Sequence, residues 1–160
     1  MKSLQKGITL IEAMITIALI SIIALIAVPN FQSFFENSRV RTATNGFISA
    51  TQLARSEAIK RGVNVIVCRR NNTGSACDNN SDWTNGWLVI TTDATPEVIQ
   101  VWEPLRNNVS MILSTNNVVY QPSGRVVSAS SASVNIKDKP NLSRCISVQL
   151  GGRAGVVTCT

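Results

Sequence analysis

Hydrophobicity along the chain changes its period twice. From Ile8 to Val28 almost every position is apolar: Ala13 to Val28 carries no charge, and only Thr16 and Ser21 are polar. Counted from Ile8 the run has 21 residues, interrupted once by Glu12 and closed by Pro29. At about 1.5 Å per residue such a helix reaches roughly 30 Å, the thickness of a bilayer's hydrocarbon core. Beyond Pro29 the pattern becomes one-sided. Phe31, Phe34, Phe35, Val40, Ala43, Phe47, Ala50, Ala54 and Ala58 recur at three- and four-residue intervals, with Arg39, Arg41, Arg55, Lys60 and Arg61 mostly between them. That spacing describes an amphipathic helix laid on a globular body. Pro29 removes one backbone donor and is expected to kink or loosen the helix. Gly62, just past two basic residues, reads as its C-terminal cap. The prediction is one helix over 8–61, membrane-spanning over 8–28 and amphipathic over 29–61.

After Gly62 the period drops to two. Short runs at 63–68, 86–91, 97–102, 109–113, 118–121, 125–128, 134–136, 145–149 and 155–159 read as strands, separated by Asn, Asp, Gly, Ser and Pro clusters. Ser128 to Ser133 reads as an exposed loop of low complexity. The fold class is therefore α+β: a long N-terminal helix packed on a small antiparallel β-sheet domain over 62–160.

Composition narrows the chemistry. Residues 8 to 103 hold 7 basic and 8 acidic side chains, whereas 104 to 160 hold 6 basic and only Asp138. The C-terminal third thus carries a charge of about +5, which draws polyanions or acidic surfaces. There is no histidine, so serine–histidine, cysteine–histidine and histidine–metal sites are excluded. With no phosphate-cradling glycine loop and no close pair of carboxylates in an apolar setting, the expectation is a protein that is not an enzyme and needs no cofactor or metal.

The charge inside the apolar run separates three readings of it. A cleaved secretory signal needs a small-residue site, and Leu25-Ile26-Ala27 is a poor one. A plain anchor leaves Glu12 without purpose, because a carboxylate in a spanning segment is costly and usually has a partner. The whole string Lys6-Gly7-Ile8-Thr9-Leu10-Ile11-Glu12, preceded by Lys2 and followed by the apolar run and Pro29, resembles the type IV prepilin signal. That resemblance implies a leader over 1–7, cut after Gly7 by a prepilin peptidase, and methylation of the new N-terminus at Ile8, where the family usually has phenylalanine. It places Glu12 at the fifth mature position, where it pairs with the N-terminal amine of an adjacent subunit. Such a pair in a low-dielectric filament core sets register and orientation.

Four cysteines in a chain that leaves the cytoplasm imply disulfides. Cys68 and Cys77 bracket a polar loop. Cys145 and Cys159 are symmetric about Gly152, as they are if 145–149 and 155–159 form a hairpin with a loop over 150–154 and the cysteines opposite each other. This spacing favours 68–77 with 145–159 over the other two pairings, each closure being worth about 3 kcal/mol.

A second resemblance covers most of the globular part. Leu53-Ala54-Arg55-Ser56-Glu57-Ala58-Ile59-Lys60-Arg61, the strand ending at Cys68, Cys77, Asp82-Trp83, Gly86-Trp87, Asp93 and the closing Gly152-Arg153 resemble the GspH/FimT family of minor pilins and pseudopilins. The resemblance implies a minor type IV pilin held in the inner membrane with its domain in the periplasm, which joins a priming complex with other minor pilins and the major pilin and ends in the pilus at the cell surface. A type II secretion pseudopilin is the first alternative. The second is a DNA-binding pilin for natural transformation, since some members carry a Gly-Arg-x-Arg tail; here Gly155 stands where the second arginine would be. The candidate DNA contacts are Arg125, Lys137, Lys139, Arg144 and Arg153, with Arg106 adding charge. Trp83 and Trp87 read as packing between loop and helix, and Glu57–Arg61 as a surface ion pair.

Overall fold

The computed structural model describes residues 7–106, 108–137 and 139–159. The leader residues 1–6, with Lys2 and Lys6, and Asp138 lie outside the described residues, as do the side chains of 26–30, Pro29 among them, and of 140–141. Helix α1 runs Leu10–Arg61 and is continuous through Pro29. The chain divides after Glu36 into two units.

In the first unit Thr9 caps α1, its hydroxyl accepting the Glu12 backbone N–H at 3.3 Å. The Thr16 and Ser21 hydroxyls donate to the carbonyls of Ala13 and Ile17, both at 2.8 Å. These two hydroxyls are thereby satisfied within the helix, as an apolar surrounding requires. Among the described residues no helix is long and apolar enough to cross a membrane; the described side chains of the apolar run extend from Ile8 only to Leu25. Phe31, Phe34 and Phe35 depart from the one-sided pattern, being 62%, 66% and 55% exposed. The core-facing stripe begins instead at Val40.

In the second unit that stripe is Val40, Ala43, Phe47, Ala50, Ala54 and Ala58, all buried. Steps of three and four keep it on one side. Thr44 and Thr51 lie on the same side and satisfy their hydroxyls on the carbonyls of Val40 and Ile48, both at 2.7 Å. Gly62 closes the helix, its N–H bonding the Ala58 carbonyl at 3.0 Å.

Eight strands follow: β1 (Val65–Arg69), β2 (Trp87–Thr91), β3 (Val98–Trp102), β4 (Val109–Leu113), β5 (Asn117–Tyr120), β6 (Ser130–Ile136), β7 (Lys139–Val148) and β8 (Ala154–Val157). They form two four-stranded antiparallel sheets, β3-β2-β1-β5 and β4-β6-β7-β8. One buried cluster joins the helix stripe to both sheets through Val65, Val67, Met111, Tyr120, Val134 and Ile146.

Three expectations are corrected. Ser128 to Ser133 is not an exposed loop, since β6 starts at Ser130 with Ser130, Ala132, Val134 and Ile136 turned inward. Its inward residues are small at the start of the strand, which hid the alternation. The run 125–128 is not a strand, because a turn bonding Gln121 N–H to the Arg125 carbonyl leaves one bridge, Tyr120 with Val126. The β7–β8 hairpin forms, but Cys145 lies opposite Val157 rather than Cys159. Its turn, bonded from Gln149 N–H to the Arg153 carbonyl, sits one residue earlier than symmetry about Gly152 requires. Cys159 lies past the end of β8 and still reaches Cys145, with Cα atoms 5.2 Å apart. Cys68 is bonded to Cys77.

Candidate functional site

The N-terminal segment offers its chemistry openly. Gly7 and Ile8 precede the helix, Ile8 is 79% exposed, and nothing lies within 4 Å of where a Gly7 side chain would begin. Glu12 is exposed in the first turn of α1, where a carboxylate is favoured by the helix dipole. It makes no ion pair among the described residues. Around it Leu10, Ile11, Met14, Ile15, Ile17, Leu19 and Ile20 are all more than half exposed, on every side of the helix. A helix apolar all round is stable only inside an apolar surrounding, whether lipid or other helices.

The five basic candidates do not converge. Lys137 precedes β7 and Lys139 opens it, opposite Ile136. Arg125 and Arg153 belong to the other end of the sheet, where Ser130 pairs with Val148. Along β6 the two ends are about 20 Å apart. Arg144 lies between them, opposite Val134. Lys137 instead acts on Asp82, whose carboxyl is held below its usual range by the hydrogen bond from Thr84 first, and further by the charges of Arg69 and Lys137.

Arg55 on α1 reaches the turn after β5, an approach that sequence distance concealed. Gly124 and Gly152 abut: a Cβ on Gly152 would overlap the Gly124 carbonyl oxygen, and a Cβ on Gly124 would stand 3.2 Å from Arg55 Nε. The Tyr120 hydroxyl donates to the Gly152 carbonyl at 3.3 Å. Burial pushes that hydroxyl's pKa up, while Thr51 and the nearby Arg55 charge pull it down.

The remaining arginines of this unit near carboxylates are structural. Arg70 bonds Glu103 at 2.9 Å, and its guanidinium spans the Asn71 and Asn72 carbonyls. Arg69 bonds Asp78, so the Cys68–Cys77 loop is tied from both flanks. Arg61 bonds both Glu57 and Glu97, each at 2.5 Å. Trp83 and Trp87 are buried and meet Phe47 edge to face at 5.7 and 6.0 Å, which leaves no indole face for a ligand.

Residues 43–152 match the family described as Type II transport protein GspH, and residues 2–28 match the prokaryotic N-terminal methylation motif. The type IV major fimbrial protein FimA of Dichelobacter nodosus is 58% identical over 40 residues, 25% of this chain and 26% of that protein. A fimbrial protein of Pseudomonas aeruginosa is 40% identical over 62 residues, 39% of this chain and 40% of that one. The chain thus matches only about a quarter to two-fifths of the length of these relatives. In fold it is similar to the type IV minor pilin FimU of Pseudomonas aeruginosa, with a TM-score of 0.63 at 16% identity over 78% of this chain and 92% of that one. It is also similar to the minor pseudopilin EpsH of the Vibrio cholerae type 2 secretion system, with a TM-score of 0.55 at 15% identity over 75% and 97%.

Proposed function

This chain belongs to the GspH family, and from that premise we propose that it is a minor type IV pilin, which joins an inner-membrane priming complex and initiates pilus assembly near the tip. One observation carries the reading. An α-helix with an apolar surface on every side begins two residues after an exposed Gly7–Ile8 bond and bears one acid, Glu12, in its first turn.

A prepilin peptidase cuts that bond and frees the Ile8 amine, which is then methylated. The run over 8–28 holds the subunit in the inner membrane with its domain in the periplasm. During assembly the run leaves lipid for a bundle of like helices, from other minor pilins and the major pilin. Glu12 then meets a neighbour's N-terminal amine. Each charge alone is expensive in that surrounding, so their pairing selects one axial register. Pro29 marks the boundary between the embedded and domain-bearing parts of the helix. The work is assembly rather than catalysis.

The spread of the basic residues to two ends of the sheet supports this reading over DNA uptake, which needs a continuous basic track. A type II secretion pseudopilin would share the helix and the fold, and the assembly machinery that captures the chain distinguishes it. Mass spectrometry of the natural N-terminus tests the proposal directly. A methylated Ile8 is expected; a chain that keeps residues 1–7, or starts near Val28 or Pro29, overturns it.

A further inference from the structure

The two sheets end in four edge strands, β3, β5, β4 and β8, and an edge with idle N–H and C=O groups invites another strand. Three of these edges are closed or blunted. Along β4 the N–H groups that face away from β6 are all taken: Val109 bonds the Arg106 carbonyl, Met111 the Thr84 hydroxyl and Leu113 the Ser81 carbonyl. On β5 the Val119 carbonyl accepts the Val127 N–H at 3.0 Å. β3 meets β2 through a bulge at Val89–Ile90, is flanked by Pro96 and Pro104, and has its Val101 carbonyl covered by the Gln100 amide at 3.3 Å. Among the described residues β8 has none of these protections. The hydrogen bond from Gln149 N–H to the Arg153 carbonyl fixes its alternation. Arg153, Gly155 and Val157 turn their backbone groups to β7, so Ala154 and Val156 turn theirs outward. Those outward groups bond nothing among the described residues. Val156 and Val157 are 50% and 44% exposed.

We propose that β8 is a docking edge for an extended, acidic segment of a partner protein, which adds to the sheet β4-β6-β7-β8 as a further strand. Ala154 and Val156 each offer a donor and an acceptor, so each exchanges a pair of main-chain bonds with the segment. Val156 shares its rung with the buried Ile146, and an apolar residue of the segment beside it continues the core outward. Charge decides the occupant. Arg153 immediately precedes β8, and Arg144 lies next to Cys145, the ladder partner of Val157 where β8 ends. Neither has an ion pair among the described residues, and residues 104–160 hold only one acid, Asp138. The edge is thus basic at both ends and suits carboxylates near both ends of the incoming strand. In an antiparallel pair of two β8 strands, Arg153 of each would lie towards the Arg144 end of the other. That repulsion disfavours a second copy and favours a different chain. The edge is separate from the Gly7–Ile8 bond, so its test stands or falls independently of processing there.

The test uses the full-length chain in non-ionic detergent at low salt, with an excess of a synthetic peptide of alternating valine and threonine that has glutamate at both ends. A second peptide carries lysine in place of glutamate. Two more keep the glutamates but are methylated on one or the other set of alternate backbone nitrogens. The glutamate peptide is expected to slow amide exchange at Ala154 and Val156 and to leave Val98 and Val101 of β3 unchanged. The lysine peptide should bind about tenfold more weakly. One methylated peptide should lose about tenfold in affinity and the other should keep it, since only one edge of the added strand faces β8. Val156→Pro removes an outward N–H that the β7–β8 ladder does not use, and should weaken binding about tenfold with both disulfides retained. Should Val156→Pro fail to fold, the methylated peptides decide instead. Unchanged exchange at Ala154 and Val156, an equal effect of the two methylations, or a lysine peptide that binds as tightly would each overturn the proposal. So would protection of these two amides that rises with concentration of the chain alone, which would put a second copy on the edge.

Discussion

Gly152 lies against the carbonyl of Gly124 at φ 79°, so its hydrogen occupies space that no side chain can enter. The contact joins the β7–β8 turn to the turn after β5. Gly152→Ala adds both a left-handed backbone penalty and an overlap with backbone atoms, which cannot rotate away. The expected loss is about 3 kcal/mol, read from the urea midpoint of the full-length chain. A loss under about 1 kcal/mol would show that the turns can part freely.

Phe47 and Phe34 make opposite predictions from one residue type. Phe47 is fully buried between two tryptophans, and Phe47→Ala should cost about 3–5 kcal/mol. Phe34 is 66% exposed, and Phe34→Ala should change stability by no more than about 0.5 kcal/mol. If α1 packs into a filament, however, Phe34→Ala should lower incorporation. Pairing a denaturation curve with an assembly assay separates the two effects.

Glu12→Val should leave the domain folded, with both disulfides intact, and sharply reduce incorporation into filaments. Valine suits an apolar surrounding better than glutamate does, so a loss of assembly identifies the charge itself as necessary. Undiminished incorporation of this variant would remove the proposed role of Glu12.

Stability should fall in acid for two identifiable reasons. The Glu57 carboxyl is held below its ordinary 4.5 by the hydrogen bond from Arg61 first, with the Lys60 and Arg61 charges adding to it. Asp82 is held below its ordinary 3.8 chiefly by Thr84. Both folded values lie beneath the unfolded ones, so the stabilisation is complete above about pH 4.5 and drains as pH falls through the folded values. Glu57→Gln with Asp82→Asn should lower stability at neutral pH and flatten the decline from pH 5 to 3. A decline as steep as that of the parent would place its origin elsewhere.

Much of this architecture is legible in the amino-acid order, because periodicity is a local property. Val40, Ala43, Phe47, Ala50, Ala54 and Ala58 could be assigned to one helix face from spacing alone, and the structure buries all six. Most strands announced themselves through β-branched residues. Ser130 to Ser133 did not, because small inward side chains carry little hydropathy. Val126 and Val127 suggested a strand that the preceding turn prevents. The hairpin cysteines showed the limit of symmetry, since a disulfide tolerates an offset that strand register does not. Arg55 could not be set beside Gly124 by reading along the chain, for only the fold brings the helix to the turn after β5.

Arg61, bonded at once to Glu57 one turn back and to Glu97 before β3, has an effect on motion as well as on charge. Helix ends ordinarily fray, opening and closing their last turn faster than the body unfolds. Here the final turn cannot lift away without releasing Glu97 as well. Amide exchange at Ala58 to Arg61 should therefore be slowed towards that of the helix interior, and Glu97→Gln should release it.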